Sequence, residues 1–252
     1  MTQRQNTYFI SDFHLGSPKG AISLNREKHI VSFLQSIEQD AKQVFLLGDI
    51  FDFWFEYKTV VPKGFVRLLG QLARMTDMGI KIDFFCGNHD LWQRNYFEKE
   101  LGITLHTDKI EEIQIDDRIF LLGHGDGLDK KDYKYLFIRA IFKNPISKFI
   151  FTSLPATLGI GMAHSWSAAS RKAHKEIDFH SLGDKEPILL FCKNYLEKHK
   201  VDYFVFGHRH LATDTIVKDN VRYLNTGAWF SESPYVVWNG KDLALNYFER
   251  QK

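Results

Sequence analysis

Val44-Phe45-Leu46-Leu47 is a fully apolar run that breaks into Gly48-Asp49, which sets a carboxylate at the tip of a buried strand where the backbone must turn. A lone charge there must be neutralised or paired, and for a rigid acidic strand tip the least costly cation is a metal ion. The plainer alternative is an Asp that caps the next helix. Four other stretches have the same form. Tyr8-Phe9-Ile10 runs into Ser11-Asp12-Phe13-His14, and Ile82 to Cys86 into Gly87-Asn88-His89-Asp90. Ile119 to Leu122 runs into Gly123-His124-Gly125-Asp126, and Tyr203 to Phe206 into Gly207-His208-Arg209-His210. Sites in open α/β sheets form beyond the carboxyl ends of strands, so these tips can converge on one crevice despite their spread along the chain.

The elements that must carry them follow from apolar spacing. Ile30, Val31, Phe33, Leu34 and Ile37 recur at helical intervals ahead of the Val44 strand, and Phe65, Leu68, Leu69, Leu72 and Met75 do so ahead of the Ile82 strand, with Gly79 as a stop. Pro187 opens a third such helix, with Ile188, Phe191, Cys192, Tyr195 and Leu196 inward, that leads to the Tyr203 strand. This is a β-α-β start, with the α-then-β layout repeated. After Thr213 the pattern changes to four strands joined by turns such as Asp219-Asn220 and Asn239-Gly240, which predicts an antiparallel second sheet.

The segment 127–186 breaks the rhythm. Its spacing at Ile138, Ile141, Phe142 and at Ile146, Phe149, Ile150 predicts helices. Between Lys130 and Lys175 stand nine basic residues and one acidic, against a net charge of +2 for all 252 residues, so the remainder carries −6. Mixed with Tyr133, Tyr135, Phe137, Phe142, Phe149, Phe151 and Trp166, this is either a solvated basic face or a surface for an anionic amphiphile or membrane.

A net charge this small gives no reason to expect nucleic acid as a partner. Cys86 and Cys192 lack metal spacing and are read as packing residues of a reducing compartment. Met1 to Thr7 is polar, with no hydrophobic signal region, and the run Phe149 to Ala163 falls short of the ~20 residues that span a bilayer. The expectation is a cytoplasmic chain.

Asp-x-His, Gly-Asp-x-x-Asp, Gly-Asn-His-Asp, Gly-His and Gly-His-x-His, in this order, resemble the calcineurin-like metallophosphoesterases from Tyr8 to about Trp229. The resemblance implies an α/β fold of two mixed β-sheets packed as a sandwich and flanked by helices, one domain over 1–252 with a helical cap inserted at 127–186. It also implies two divalent ions, which in two-metal sites stand about 3.5–4 Å apart and activate a water against a phosphoester. By the family pattern Asp49 bridges the ions, Asp12, His14 and His210 complete the first, and Asn88, His124 and His208 the second. His89 then stabilises or protonates the leaving oxygen and Asp52 orients it. Asp90 and Asp126 are expected to support the site rather than act in it, and Arg209 either touches phosphate or sits in a salt bridge. Carboxylate, amide and imidazole donors suit manganese, iron or zinc.

Within that superfamily the chain is similar to the UDP-2,3-diacylglucosamine pyrophosphatases of lipid A synthesis. The similarity lies in the short N-terminus, the basic aromatic insert after His124-Gly125-Asp126, Gly207-His208-x-His210, and Gly227-Ala228-Trp229. The insert itself matches around Tyr133 to Arg139 and Ala169 to Ala173, where Ser170 is a candidate substrate contact. One departure is His89, where many members have Arg. The resemblance implies manganese, a UDP-linked acylated glucosamine as substrate, and peripheral attachment to an anionic membrane at the inner face of the inner membrane. A general phosphodiesterase or nuclease, or a metal-free scaffold, is the alternative.

Overall fold

The computed structural model describes residues 4–129, 133–153, 161, 182–230 and 232–249. Strand β1 (Asn6–Ile10), helix α1 (Ala21–Ser36), β2 (Ala41–Leu46), α2 (Val66–Asp77) and β3 (Lys81–Phe85) form the expected β-α-β start. A short α3 (Tyr96–Leu101), β4 (Thr104–His106), β5 (Ile110–Ile115) and β6 (Arg118–Gly123) follow. The insert carries α4 (Tyr133–Lys143) and α5 (Pro145–Ser153), and α6 (Pro187–Tyr195) leads to β7 (Tyr203–Phe206). Strands β8 (Ala212–Lys218), β9 (Val221–Thr226), β10 (Pro234–Trp238) and β11 (Leu243–Tyr247) complete the chain order.

Two mixed sheets result, one ordered β11-β10-β1-β2-β3-β4 and the other β5-β6-β7-β9-β8. Alternation along each strand explains their layering. Phe9, Phe45 and Phe85 point between the sheets, where Phe9 stacks on Phe45 at 5.2 Å and on Phe120 of the opposite sheet at 5.6 Å. Their neighbours Tyr8, Ile10, Val44, Leu46 and Phe84 point the other way, into a core shared with α1 and α2. On the far side Leu121, Phe204, Phe206 and Tyr223 pack against α6. Strands buried on both faces read as unbroken apolar runs, which is why the runs before each candidate donor were so clear.

The last four strands do not form one antiparallel sheet. β8 and β9 join the second sheet, where β9 lies parallel to β7, but the β10–β11 hairpin joins the first sheet, with β10 antiparallel to β1. Val236 and Trp238 enter the core between the sheets, while Tyr235 and Val237 pack toward α1. A strand with apolar side chains on both faces needs a sheet covered on both faces, and the free edge of β1 supplies that place.

The insert helices dock on the strand-tip loops. Trp92 Nε1 donates to the carbonyl of Phe142 at 2.7 Å, and Phe151 packs on Phe55 at 4.7 Å and on Trp92 at 4.6 Å. Phe137, Ile146, Phe149 and Ile150 are exposed. Among the described residues no helix is long and apolar enough to cross a membrane.

Candidate metal centre

β1, β2 and β3 run parallel in one sheet, as do β6 and β7 in the other, and the loops after their carboxyl ends meet. Hydrogen bonds lock one tip to the next. His14 N donates to the carbonyl of Asp49 at 2.9 Å, Gly207 N to that of His124 at 2.9 Å, and His208 N to Asp12 Oδ2 at 3.0 Å. Two glycines are required by the closeness of this approach: a Cβ on Gly87 would stand 2.2 Å from Asp49 Oδ1, and one on Gly207 would stand 2.3 Å from Ser11 Oγ.

The donors form two overlapping groups. In the first, His210 Nε2 lies 3.2 Å from Asp12 Oδ1 and 3.0 Å from His14 Nε2. In the second, His124 Nε2 lies 3.2 Å from Asn88 Oδ1 and 3.3 Å from Asp49 Oδ2. Asp49 Oδ2 reaches into the first group as well, 3.7 Å from His14 Nε2. The His208 ring stands 5.1 Å from that of His124. Donors bound at about 2.1 Å to one ion are roughly 3.0–3.4 Å from each other, so these spacings fit edges of coordination polyhedra. Asp12 Oδ1 makes no hydrogen bond to either neighbouring imidazole although it is buried beside both, as expected of lone pairs aimed at a common point.

The electrostatics are those of a site built for cations. Burial works to raise the Asp49 carboxyl, but the His124 and His89 imidazoles beside it hold it far below the usual carboxylate range. Asp12 is likewise held well below, against its burial, by His14 and His210. Burial, reinforced by charge on His124, pushes His208 down to about 4, so its imidazole is neutral at physiological pH.

Chain 6–212 matches the model of the family described as calcineurin-like phosphoesterase. The chain belongs to the calcineurin-like phosphoesterase family. Members work through divalent metal ions, and the clustered donors fit them. A UDP-2,3-diacylglucosamine hydrolase of Porphyromonas gingivalis is 34% identical over 98% of this chain and 98% of its own. The enzyme of the same name from Vibrio cholerae is 28% identical over 96% of this chain and 98% of its own. Among solved structures, an archaeal phosphodiesterase superposes with a TM-score of 0.48 at 13% identity, over 96% of this chain and 99% of that one.

Around these phosphoesterase donors the structure adds detail. His89 Nδ1 lies 2.9 Å from the main-chain carbonyl of Asp52, whereas the Asp52 carboxylate is 3.9 Å away and equally far from His14 Nδ1. The shorter of these two contacts to His89 is thus with the Asp52 main chain, and the carboxylate assigned to orient it from the motif stands farther off. Asp90 accepts main-chain N–H groups from Gly87 at 2.8 Å, Asp49 at 3.3 Å and Ile50 at 2.8 Å, binding two tips together. Burial and the charge of Asp49 push it up to about 7. Asp126 faces Arg139 of α4, whose Nε is 2.8 Å away. Arg209 directs Nε and Nη2 to Glu186 at 2.6 and 3.2 Å, the salt-bridge arrangement. Ser170 lies outside the described residues.

Sequence reasoning missed Arg26, whose Nη1 donates to the carbonyls of Phe13 and Ser17 at 2.9 Å and of His14 at 3.1 Å. It also missed Asn225, which holds the Gly207 carbonyl at 2.5 Å. Both act on backbone groups, which leave no side-chain pattern in a sequence, although Asn225-Thr226-Gly227 after an apolar run was a visible turn signal.

Proposed function

We propose that this chain hydrolyses the pyrophosphate of UDP-2,3-diacylglucosamine to UMP and 2,3-diacylglucosamine 1-phosphate. The observation that carries the reading is the end-to-end similarity to the Porphyromonas gingivalis enzyme, which extends over 98% of both chains and so includes the segment 127–186 as well as the metal motifs. In this reading Asp12, His14 and His210 would hold one ion and Asn88, His124 and His208 a second, with Asp49 serving both, and the metal would be manganese. Bound there, the ions supply positive charge for the phosphoryl oxygens and acidify the attacking water.

The rest falls to the chain's own residues. A carbonyl oxygen only accepts, so the Asp52 carbonyl fixes the proton of His89 on Nδ1 and turns Nε2 toward the site, 4.0 Å from Asp49 Oδ2. From Nε2 the imidazolium passes a proton to the oxygen that leaves phosphorus as the water oxygen bonds to it. Segment 127–186 acts as a cap within a single domain over 1–252, its aromatic side chains receiving the acyl chains and its lysines and arginines an anionic membrane surface on the cytoplasmic side. Phe137, Ile146, Phe149 and Ile150, all exposed, support that role. Ser170 contacts substrate from the cap, and Arg209 steadies the cap's return through Glu186 more directly than it meets phosphate.

The test is incubation with UDP-2,3-diacylglucosamine and manganese, with products identified by mass spectrometry. Since each buried methylene contributes about 0.8 kcal/mol, kcat/KM should exceed that for UDP-N-acetylglucosamine by at least about 10³. Equal turnover of both, with ready cleavage of simple aryl diesters, would replace this reading with a general phosphodiesterase.

A further inference from the structure

A cavity of about 670 Å³ opens on the side of the centre where His14 and His210 stand. Asn25, Arg26 and His29 reach it from one face of α1, the Trp229-Phe230 pair forms a wall, and Tyr247 at the end of β11 lines it as well. It exists because the β10–β11 hairpin joins the first sheet beside β1. Phe230 is the shared wall: its ring lies 5.2 Å from that of His210 and 5.9 Å from that of His14. Arg26 stacks over the same ring, its guanidinium carbon 5.5 Å from the centroid.

The chemistry of the walls is mixed. Arg26 spends Nη1 on three main-chain carbonyls, while its Nε and Nη2 have no acceptor among the described residues. A guanidinium anchored at one end and open at the other, next to the metal donors, suits a phosphate or ribose oxygen. The lining also includes two carboxylates, Glu232 and Glu249, which repel an anion but accept from an imide N–H. The aromatic rings of the lining suit a flat ring, and the volume is in the range of small-molecule sites.

We infer that this cavity holds the nucleoside half of the substrate, with the phosphate end at Arg26 and the base among Phe230, Tyr247 and the two carboxylates. The inference rests on the sugar-nucleotide reading above and adds where the nucleotide lies: on the α1 and β11 side of the donors, away from the insert helices, which dock at Trp92 and Phe55.

The experiment is calorimetric titration of the manganese-loaded full chain with UMP and, separately, with inorganic phosphate, for the wild type and for Asn25→Ala and Tyr247→Ala. Both residues are exposed, so the substitutions should leave the fold intact. UMP is expected to bind at least about 10-fold more tightly than phosphate. Each substitution should remove most of that advantage and leave the phosphate affinity as it was. UMP binding no tighter than phosphate, or UMP affinity indifferent to both substitutions, overturns the inference even if the acylated substrate is cleaved normally. Loss of UMP affinity in the variants of a protein that does not cleave the acylated substrate upholds the subsite and removes the substrate reading alone.

Discussion

Asp12, His14, Asp49, His208 and His210 all have φ between 43° and 70°, so most of the donor set sits in left-handed backbone. For a non-glycine residue this costs roughly 1–2 kcal/mol, and it persists only where surrounding bonds over-determine it. The tip-to-tip hydrogen bonds and Asp90 do so here. Because the donors hang from strand tips and not from the core, Asp49→Ala should lose most bound metal and nearly all activity while remaining folded by circular dichroism. Two equivalents of metal and normal turnover in that variant would refute its role as the shared ligand. His89→Ala should keep its metal and lose kcat by about 10²–10⁴-fold. Since His89 leans on the Asp52 carbonyl, which survives substitution, Asp52→Asn should cost far less than His89→Ala. Equal losses would mean that the carboxylate orients His89 after all.

At the scale of elements, one side chain joins the two sheets. His106 on β4 bonds through Nε2 to Asp83 of β3 at 2.9 Å and through Nδ1 to Glu111 of β5 at 2.7 Å, with its ring stacked on Phe85 at 4.3 Å. Burial disfavours its charge, yet Asp83 and Glu111 prevail and hold its pKa above the ordinary value. A group with a raised folded pKa contributes stability that is fully present below its unfolded value, about 6.5, and lost as pH rises through the folded value. Urea unfolding from acid to alkaline pH should therefore show wild type ahead of His106→Gln by on the order of 1 kcal/mol at low pH, with the gap closing as pH rises. Parallel pH profiles for the two proteins would deny His106 this role. None of this was legible in the sequence, because β4 has only three residues and both β4 and β5 are mostly half-exposed, without a strong apolar run. The strands that carry the donors were legible for the opposite reason: burial on both faces writes a continuous apolar signal.

For the molecule as a whole, apolar runs and glycines were enough to place every candidate donor at a strand tip, and helical spacing was enough for α1, α2 and α6. What spacing leaves open is adjacency. Nothing in Pro234 to Tyr247 says that β10 pairs with β1, since Tyr235, Val236, Val237 and Trp238 would suit any doubly covered edge. That pairing joins Thr7 to Trp238 and Phe9 to Val236, contacts between opposite ends of the described chain. It has a consequence in time. During synthesis β1 emerges first and waits with one edge unpaired until nearly all the other strands have followed, and loop closure over such distances is slow. Asp12 and His14 extend from that waiting strand, and His208 and His210 arrive only with β7. Chains stalled on the ribosome before residue 234 should therefore bind manganese weakly, and metal capture should mark the end of folding in the cell and not its beginning. Full uptake by a chain lacking β10 and β11 would show that the centre matures ahead of the sheet that bears it.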